Sequence, residues 1–163
     1  MIDRPYDRDL EPTELRRLVS GLAARPHLWS HLVRHDPGER LYEELYRDQH
    51  VGVWLICWMR DHDTGFHDHD LSAGAIAVVD GQVREDRLAV GSPPTERTVA
   101  AGSVFNFRPS DIHRVLHAGD RPAVTIHAYS PPLWRMGAYE IGESGVLQRH
   151  SVSYAEELRP IGV

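Results

Sequence analysis

The 163-residue sequence predicts an all-β fold, a sandwich or small barrel behind an N-terminal helical segment. Three observations carry this. Helical periodicity is confined to the first third of the chain. From Val51 onward, short runs rich in β-branched and aromatic residues recur at roughly 8–12-residue spacing, separated by turn residues. The length suits one domain and is short for two.

The elements follow in order. Pro12 stands where a first helical residue is favoured, and Glu11 and Glu14 place negative charge at the positive end of the helix dipole. Leu15, Leu18, Val19 and Leu22 recur at i, i+3, i+4 and i+7 and make one apolar stripe. Gly21 weakens this helix and Pro26 ends it. A second short helix is expected from Pro26 to Arg34, closed by Pro37-Gly38. The run Val51–Met59 reads as a buried strand. Further strands are expected at Ala73–Val79, Gln82–Leu88, Thr95–Val99, Ser103–Phe107, His113–His117 and Val124–Tyr129. Asp80-Gly81 is the strongest hairpin signal. Other turns fall at Gly91–Pro94, Ala101-Gly102, Arg108-Pro109 and Gly119-Asp120. The tail after Tyr139 is mixed and polar and predicts no element.

Composition narrows the function. Hydrophobic residues make up 41% and charged residues 26%, an ordinary globular balance. With 18 Lys+Arg against 24 Asp+Glu the net charge is −6, which disfavours nucleic acid as a partner. No apolar run approaches the roughly 18–20 residues that span a bilayer. Met1 to Leu10 carries five charges and no apolar core, unlike a signal peptide. The single cysteine, Cys57, permits no internal disulfide. The expectation is a cytoplasmic protein without membrane or nucleic-acid partners; the oligomeric state is open, a monomer included. The unusual count is 11 histidines against three methionines.

Those histidines cluster. In an extended segment His67 and His69 project from one face and Asp68 from the other. Such a pair is a pincer for a metal, although a histidine-rich edge loop would read the same way. His113 follows the turn at Pro109 and opens another strand, which would bring a third imidazole from a distant part of the chain. His117 shares its face but lies about 13 Å further along, and is expected at the surface. Thr125, His127 and Tyr129 form a ladder of hydrogen-bonding groups opposite the apolar face of Val124, Ile126 and Ala128. Asp68, Asp70 and Asp111 are candidates to orient ligand histidines from behind, Asp68 the weakest of them because it points to the opposite face, but the expectation for all three is a solvated turn acid. Cys57, mid-strand among apolar residues, is expected to be a packing cysteine.

The pattern Gly65-x-His67-x-His69, then Gly81, then Gly102 through Pro109 to His113, resembles the two cupin motifs. The usual first motif adds a glutamate ligand; here Ser72, Ala73 and Gly74 occupy that region. In this it resembles the cysteine dioxygenase family of thiol dioxygenases. Cys57-Trp58 ahead of His67-Asp-His69, His113-Arg-Val, and His127-Ala-Tyr129-Ser-Pro-Pro132 are similar to that family. Tyr46-Arg47 is similar to its bacterial members. The resemblance covers roughly residues 42–141.

The resemblance implies a single cupin-type jelly-roll domain over 1–163. It comprises a helical segment at about 10–36, a barrel at about 42–141 and a tail at 142–163. It implies a non-haem iron dioxygenase with Fe(2+) held by His67, His69 and His113. Three neutral imidazoles leave the +2 charge of the ion uncancelled, which suits an anionic thiolate. It also implies that Arg47 grips a substrate carboxylate through its planar fork. Tyr129 and His127 would stand beside the metal as the catalytic pair, with Thr125 behind them. Tyr46, Trp58 and Met136 would contact substrate, Trp58 being equally readable as core. The partners would be a small-molecule thiol and O2, with L-cysteine giving cysteine sulfinic acid. Another small thiol such as 3-mercaptopropionate, or a non-catalytic metal-binding or sensing cupin, are the alternatives. Animal members link the active-site tyrosine to a cysteine at the position of Gly74, so Tyr129 is expected to be unmodified.

Overall fold

Helix α1 (Pro12–Ala23) begins as its sequence dictates. The Glu14 carboxylate reaches back to accept the Glu11 N–H at 2.9 Å, which satisfies one of the amides that a helix start leaves unpaired. The computed structural model describes residues 5–153. The second predicted helix is instead two single 3-10 turns, Pro26–Leu28 and Ser30–Leu32. Trp29 between them leaves helical geometry (φ −142°). Its indole N–H donates to the carbonyl of Leu22 at 2.9 Å, tying the segment to the end of α1.

Eleven strands follow among the described residues. They are β1 (Leu41–Arg47), β2 (Gly52–Trp58), β3 (Phe66–Asp68), β4 (Ala73–Asp80), β5 (Gln82–Ala89), β6 (Ser92–Ala100), β7 (Val104–Phe107), β8 (His113–Ala118), β9 (Ala123–Ser130), β10 (Arg135–Ile141) and β11 (Leu147–Ser153). They form two antiparallel sheets, ordered β1-β2-β9-β4-β7 and β11-β10-β3-β8-β5-β6. The architecture is the all-β jelly roll with an N-terminal helix that the sequence predicts. Among the described residues no helix is long and apolar enough to cross a membrane.

Strand alternation separates two cores. Val53, Leu55 and Cys57 of β2, with Ala75 and Ala77 of β4 and Ile126 and Ala128 of β9, face outward and meet Leu15, Val19 and Leu22 of α1. Trp54, Ile56 and Trp58, with Ile76, Phe107 and Tyr129, face the second sheet and its Val83, Val115 and Met136. Both faces of β2, β4 and β9 are therefore covered, and these strands read as near-continuous apolar runs. Fully burying a residue such as Leu15 or Val19 contributes about 1.5–3 kcal/mol, so the helix is a lid over one sheet rather than an appendage.

Two further expectations fail. Asp80-Gly81 joins β4 and β5, which lie in different sheets, so it is a corner and not a hairpin. Gly81 has φ +65°, and a β-carbon there would fall 2.5 Å from the Pro122 carbonyl oxygen. Glycine is needed for the close approach at that corner, not for a hairpin. The hairpin is one element later, where β5 and β6 pair from Gln82↔Ala100 to Ala89↔Ser92. Pro93 and Pro94 lie on β6, at the sheet edge where a missing N–H is tolerated. The tail is also not featureless: residues 147–153 form β11, which pairs along the whole of β10. The tail's last residues, 154–163, lie outside the described residues.

Candidate metal centre

Strand β3 is three residues long and pairs with β8 at a single register point, His67↔His113. That point places two imidazoles side by side from segments 46 positions apart. His69 follows just past the end of β3. The chain turns sharply there, with the Ser72 N–H donating to the His69 carbonyl at 2.9 Å and Asp70 in the left-handed region (φ +55°).

The three rings converge. Their centroids are 4.8 Å (His67–His69), 4.8 Å (His67–His113) and 4.9 Å (His69–His113) apart. One ring nitrogen from each lies within 4.8 Å of the others, and all three residues are buried. Nε2 of His67 and Nε2 of His69 face each other at 3.2 Å. Two nitrogens about 2.1 Å from one shared ion would stand about 3.0–3.4 Å apart. Nδ1 of His69 and Nε2 of His113 are buried with no hydrogen-bond partner among the described residues. An unpartnered, buried Nε2 on His113 beside the facing Nε2 atoms of His67 and His69 fits a cation; Nδ1 of His69 is the other nitrogen of its ring and carries the proton. Burial, reinforced by the neighbouring histidines, pushes His67 and His69 well below the ordinary imidazole pKa. Burial also lowers His113, so all three rings are neutral donors at pH 7. A neutral-nitrogen set suits iron, zinc, copper or nickel better than magnesium or calcium.

Each ring is braced differently. Nδ1 of His67 donates to the Gly65 carbonyl at 3.0 Å, which leaves Nε2 for a metal. Nδ1 of His113 donates to the Glu85 carboxylate at 2.9 Å, again leaving Nε2. His69 is held by stacking on Phe107, with centroids 4.2 Å apart and planes 23° apart. Glu85 is 1% exposed. Burial alone would raise its pKa, but hydrogen bonds from His113 and Arg87 prevail and hold it at about 2. Arg87 and Arg97 reach its two oxygens at 2.8 and 2.6 Å. Such a carboxylate fixes the tautomer and orientation of a ligand histidine.

Beside the triad lies a row of four polar side chains. The Trp58 indole N–H donates to Thr125 Oγ1 at 2.8 Å. Thr125 Oγ1 and His127 Nε2 are 2.8 Å apart, and His127 Nδ1 and the Tyr129 hydroxyl are 3.0 Å apart. Burial lowers the His127 pKa to about 3, so this ring is neutral too. Indole can only donate, and Thr125 then offers its own proton to Nε2. By that pattern Nδ1 carries the His127 proton and donates it to the Tyr129 oxygen. Tyr129 is 5.5 Å from the His69 ring, centroid to centroid.

The remaining predicted residues are spread more widely. Met136 is fully buried on β10 in the same inner core as Tyr129. Trp58 is both core residue and hydrogen-bond donor. Arg47 ends β1, in the register row that runs through Gly52 to Tyr129. It pairs with Glu44 at 2.8 Å and sits 5.9 Å from the Trp54 ring centre. Tyr46 is not brought to this cluster. The pairing of β1 slips between Glu44 and Tyr46, which turns Tyr46 to the outer face. There its hydroxyl donates to Asp48 at 2.6 Å. His117 stands outside the cluster, its ring against the Arg121 carbonyl at 2.8 Å.

Some residues at the site escape sequence reasoning. Glu85 continues the inward alternation of Val83, and an acid at an inward position is a signal that could have found it. Phe107 supplies the stacking face for His69. Arg40 is 3% exposed, with its guanidinium 5.0 Å from the Trp58 ring centre, and its charge helps to depress His67 and His127. Asp68 does point away from the triad, but it is buried and multiply bonded rather than solvated.

Comparison with known proteins places these residues in a context. A family model described as "Cysteine dioxygenase type I" matches residues 7–141. Curated relatives include "Cysteine dioxygenase type 1" of Danio rerio, 25% identical over 73% of this chain. That match spans 65% of the relative's own length, just under two thirds. The protein of the same name from Homo sapiens is 24% identical over 78% of this chain and 68% of its own. Among solved structures, a Thermus thermophilus protein superposes with a TM-score of 0.56 at 16% identity, over 63% of this chain and 93% of its own. A cupin superfamily protein from Desulfitobacterium hafniense gives 0.54 at 12% identity, over 65% of this chain and 90% of its own. These structural likenesses establish the cupin fold.

Proposed function

The chain belongs to the cysteine dioxygenase type I family, and from that premise we propose that it is an iron(II)-dependent thiol dioxygenase converting L-cysteine and O2 to cysteine sulfinic acid. The observation that carries the reading is the buried set His67, His69 and His113, all neutral nitrogen donors with no acid among them. The reaction balances without a further reductant: a thiol and one O2 give a sulfinic acid, both oxygen atoms ending on sulfur. Fe(II), when bound, supplies the electron exchange with O2 and open coordination positions beside the three imidazoles.

The chain's own residues do the rest. Glu85 and the Gly65 carbonyl hold His113 and His67 in the tautomer that presents Nε2. The row from Trp58 through Thr125 and His127 fills the acceptor side of the Tyr129 hydroxyl. With its oxygen accepting from His127, the Tyr129 hydroxyl is oriented to donate its own proton towards the reacting atoms. Arg47 offers a fork for the substrate carboxylate at the rim of the row that contains Tyr129. Met136 closes the pocket with an apolar, polarisable side chain. A cytoplasmic location, and a partner set limited to a small thiol and O2, belong to the same proposal.

The alternative substrate within the class is 3-mercaptopropionate, which offers Arg47 the same carboxylate and lacks only the amine of cysteine. The test is O2 uptake by Fe(II)-loaded protein against cysteine, 3-mercaptopropionate and cysteamine, with product identification. Cysteine consumed one-to-one with O2 to the sulfinic acid is the expected result. Faster turnover of 3-mercaptopropionate would replace the substrate. One bound metal with no thiol-dependent O2 uptake would leave a binding or sensing cupin.

A further inference from the structure

Asp68 separates His67 and His69 along the chain and points to the opposite face. Its carboxylate accepts five hydrogen bonds. Oδ1 takes the N–H of Asp70 at 3.0 Å, the N–H of Gly137 at 3.0 Å and Nη2 of Arg149 at 3.0 Å. Oδ2 takes the Tyr139 hydroxyl at 2.6 Å and Nε of Arg149 at 2.8 Å. Arg149 thus grips both oxygens in a fork, the strong form of this contact. Asp70 is flanked by the same strands, with Arg135 at 3.5 Å and Arg149 at 3.7 Å.

We propose that Arg149, on the C-terminal strand β11, is a positioning residue for the metal centre, clamping Asp68 and so fixing the backbone that carries His67 and His69. β3 needs such a clamp. It is only three residues long, pairs with β8 at one point and carries two of the three ligand imidazoles on itself and the turn beyond. Its other neighbour, β10, is paired along its full length by β11. Arg149 lies on β11 opposite Tyr139, so it must reach diagonally across β10 to find Asp68. Gly137 lets it through: a β-carbon there would fall 2.2 Å from Arg149 Nε and 2.6 Å from Asp68 Oδ2. Glycine at this register position and arginine two rungs away are complementary parts of one device. Arg149 touches no ligand ring, so it acts through Asp68. The inference rests on the metal-centre reading, not on the identity of the thiol.

The test uses metal affinity and needs no turnover. Metal-free full-length protein is titrated with Co(II), read by its visible absorption, with chelator competition to obtain Kd. The thermal midpoint of the metal-free form is measured in parallel. Arg149→Gln should weaken Co(II) binding 10- to 100-fold, the range for partners that orient ligands. Arg149→Lys should recover only part, since a point charge cannot reproduce the fork. Gly137→Ala, which leaves every charge in place, should mimic Arg149→Gln. Tyr139→Phe, the mildest change, should cost about threefold and keeps the test open if a harsher variant fails to fold. A changed Co(II) absorption band in the loaded variants would mark altered ligand placement, which a purely stabilising residue would not cause. Folded variants that bind Co(II) within twofold of wild type would overturn the proposal. Wild type that binds no Co(II) would overturn the metal-centre reading and this proposal with it.

Discussion

Phe107 covers Gly74 so closely that a β-carbon at position 74 would lie 2.2 Å from its Cζ. The same ring stacks on His69. The volume that a crosslinking cysteine would occupy is therefore filled by the residue that supports a metal ligand. Wild-type protein should have the intact mass of the unmodified chain and run as a single gel band. Gly74→Ala, by overpacking, should destabilise the fold by about 1–3 kcal/mol in urea unfolding. It should also weaken Co(II) binding, because Phe107 cannot yield without moving His69. A mass loss of two hydrogens mapped to a Tyr129 peptide would contradict the first expectation.

Glu85→Gln keeps the shape of the side chain and removes its charge. The His113 ring would lose its charge-assisted partner, and Arg87 and Arg97 their counterion. Metal affinity should fall about 10- to 100-fold. Metal analysis after dialysis against a graded chelator series measures it. Retention equal to wild type would mean that Glu85 serves the arginines alone.

Arg47 and Arg40 make a discriminating pair. If Arg47 forks onto the substrate carboxylate, Arg47→Ala should lower kcat/KM for cysteine by at least roughly 30-fold, with bound iron unchanged. The lower end of the range applies, because the side chain is about a third exposed. Cysteamine, which lacks a carboxylate, should lose little. Arg40→Met should instead lower kcat through the Trp58 row while leaving the ratio of cysteine to cysteamine unchanged. The reverse pattern would transfer the carboxylate role from Arg47 to Arg40.

The metal-free protein should be acid-sensitive well above the carboxylate range. Burial depresses His67, His69, His113 and His127 in the folded state, whereas in the unfolded chain each titrates near 6.5. Below about 6.5 the unfolded chain therefore binds protons that the folded chain refuses, and stability falls with pH. Each group contributes a slope approaching about 1.4 kcal/mol per pH unit, for His127 down to its folded value of about 3. Urea midpoints should be nearly level from pH 8.5 to 7.5, begin to fall by pH 6.5 and fall more steeply to pH 5.5. His127→Gln should make the fall shallower by one proton. A midpoint that rises on acidification would contradict this.

The parts of the fold that were legible in the sequence are those buried on both faces. β2, β4 and β9 announce themselves because the burial on each side selects apolar residues. β1 and β11 do not: Leu41–Arg47 and Leu147–Ser153 are edge strands with exposed, mixed faces. The three histidines were legible because chemistry forces their type and β geometry their spacing. Asp80-Gly81 misled because a tight glycine turn looks the same whether it closes a hairpin or passes the chain between sheets. Glu85 and Arg149 were hidden because their partners, His113 and Asp68, lie 28 and 81 positions away.

Cys57 has a consequence for the thiol-oxidising centre proposed above. It is the chain's sole sulfhydryl, and it faces the helix-covered side of β2, with the whole sheet between it and the histidines. Burial also raises its pKa and keeps it protonated. Under the proposed function the centre thus has no sulfhydryl of its own chain within reach. Repeated turnover of an external thiol should therefore leave Cys57 as the free sulfhydryl.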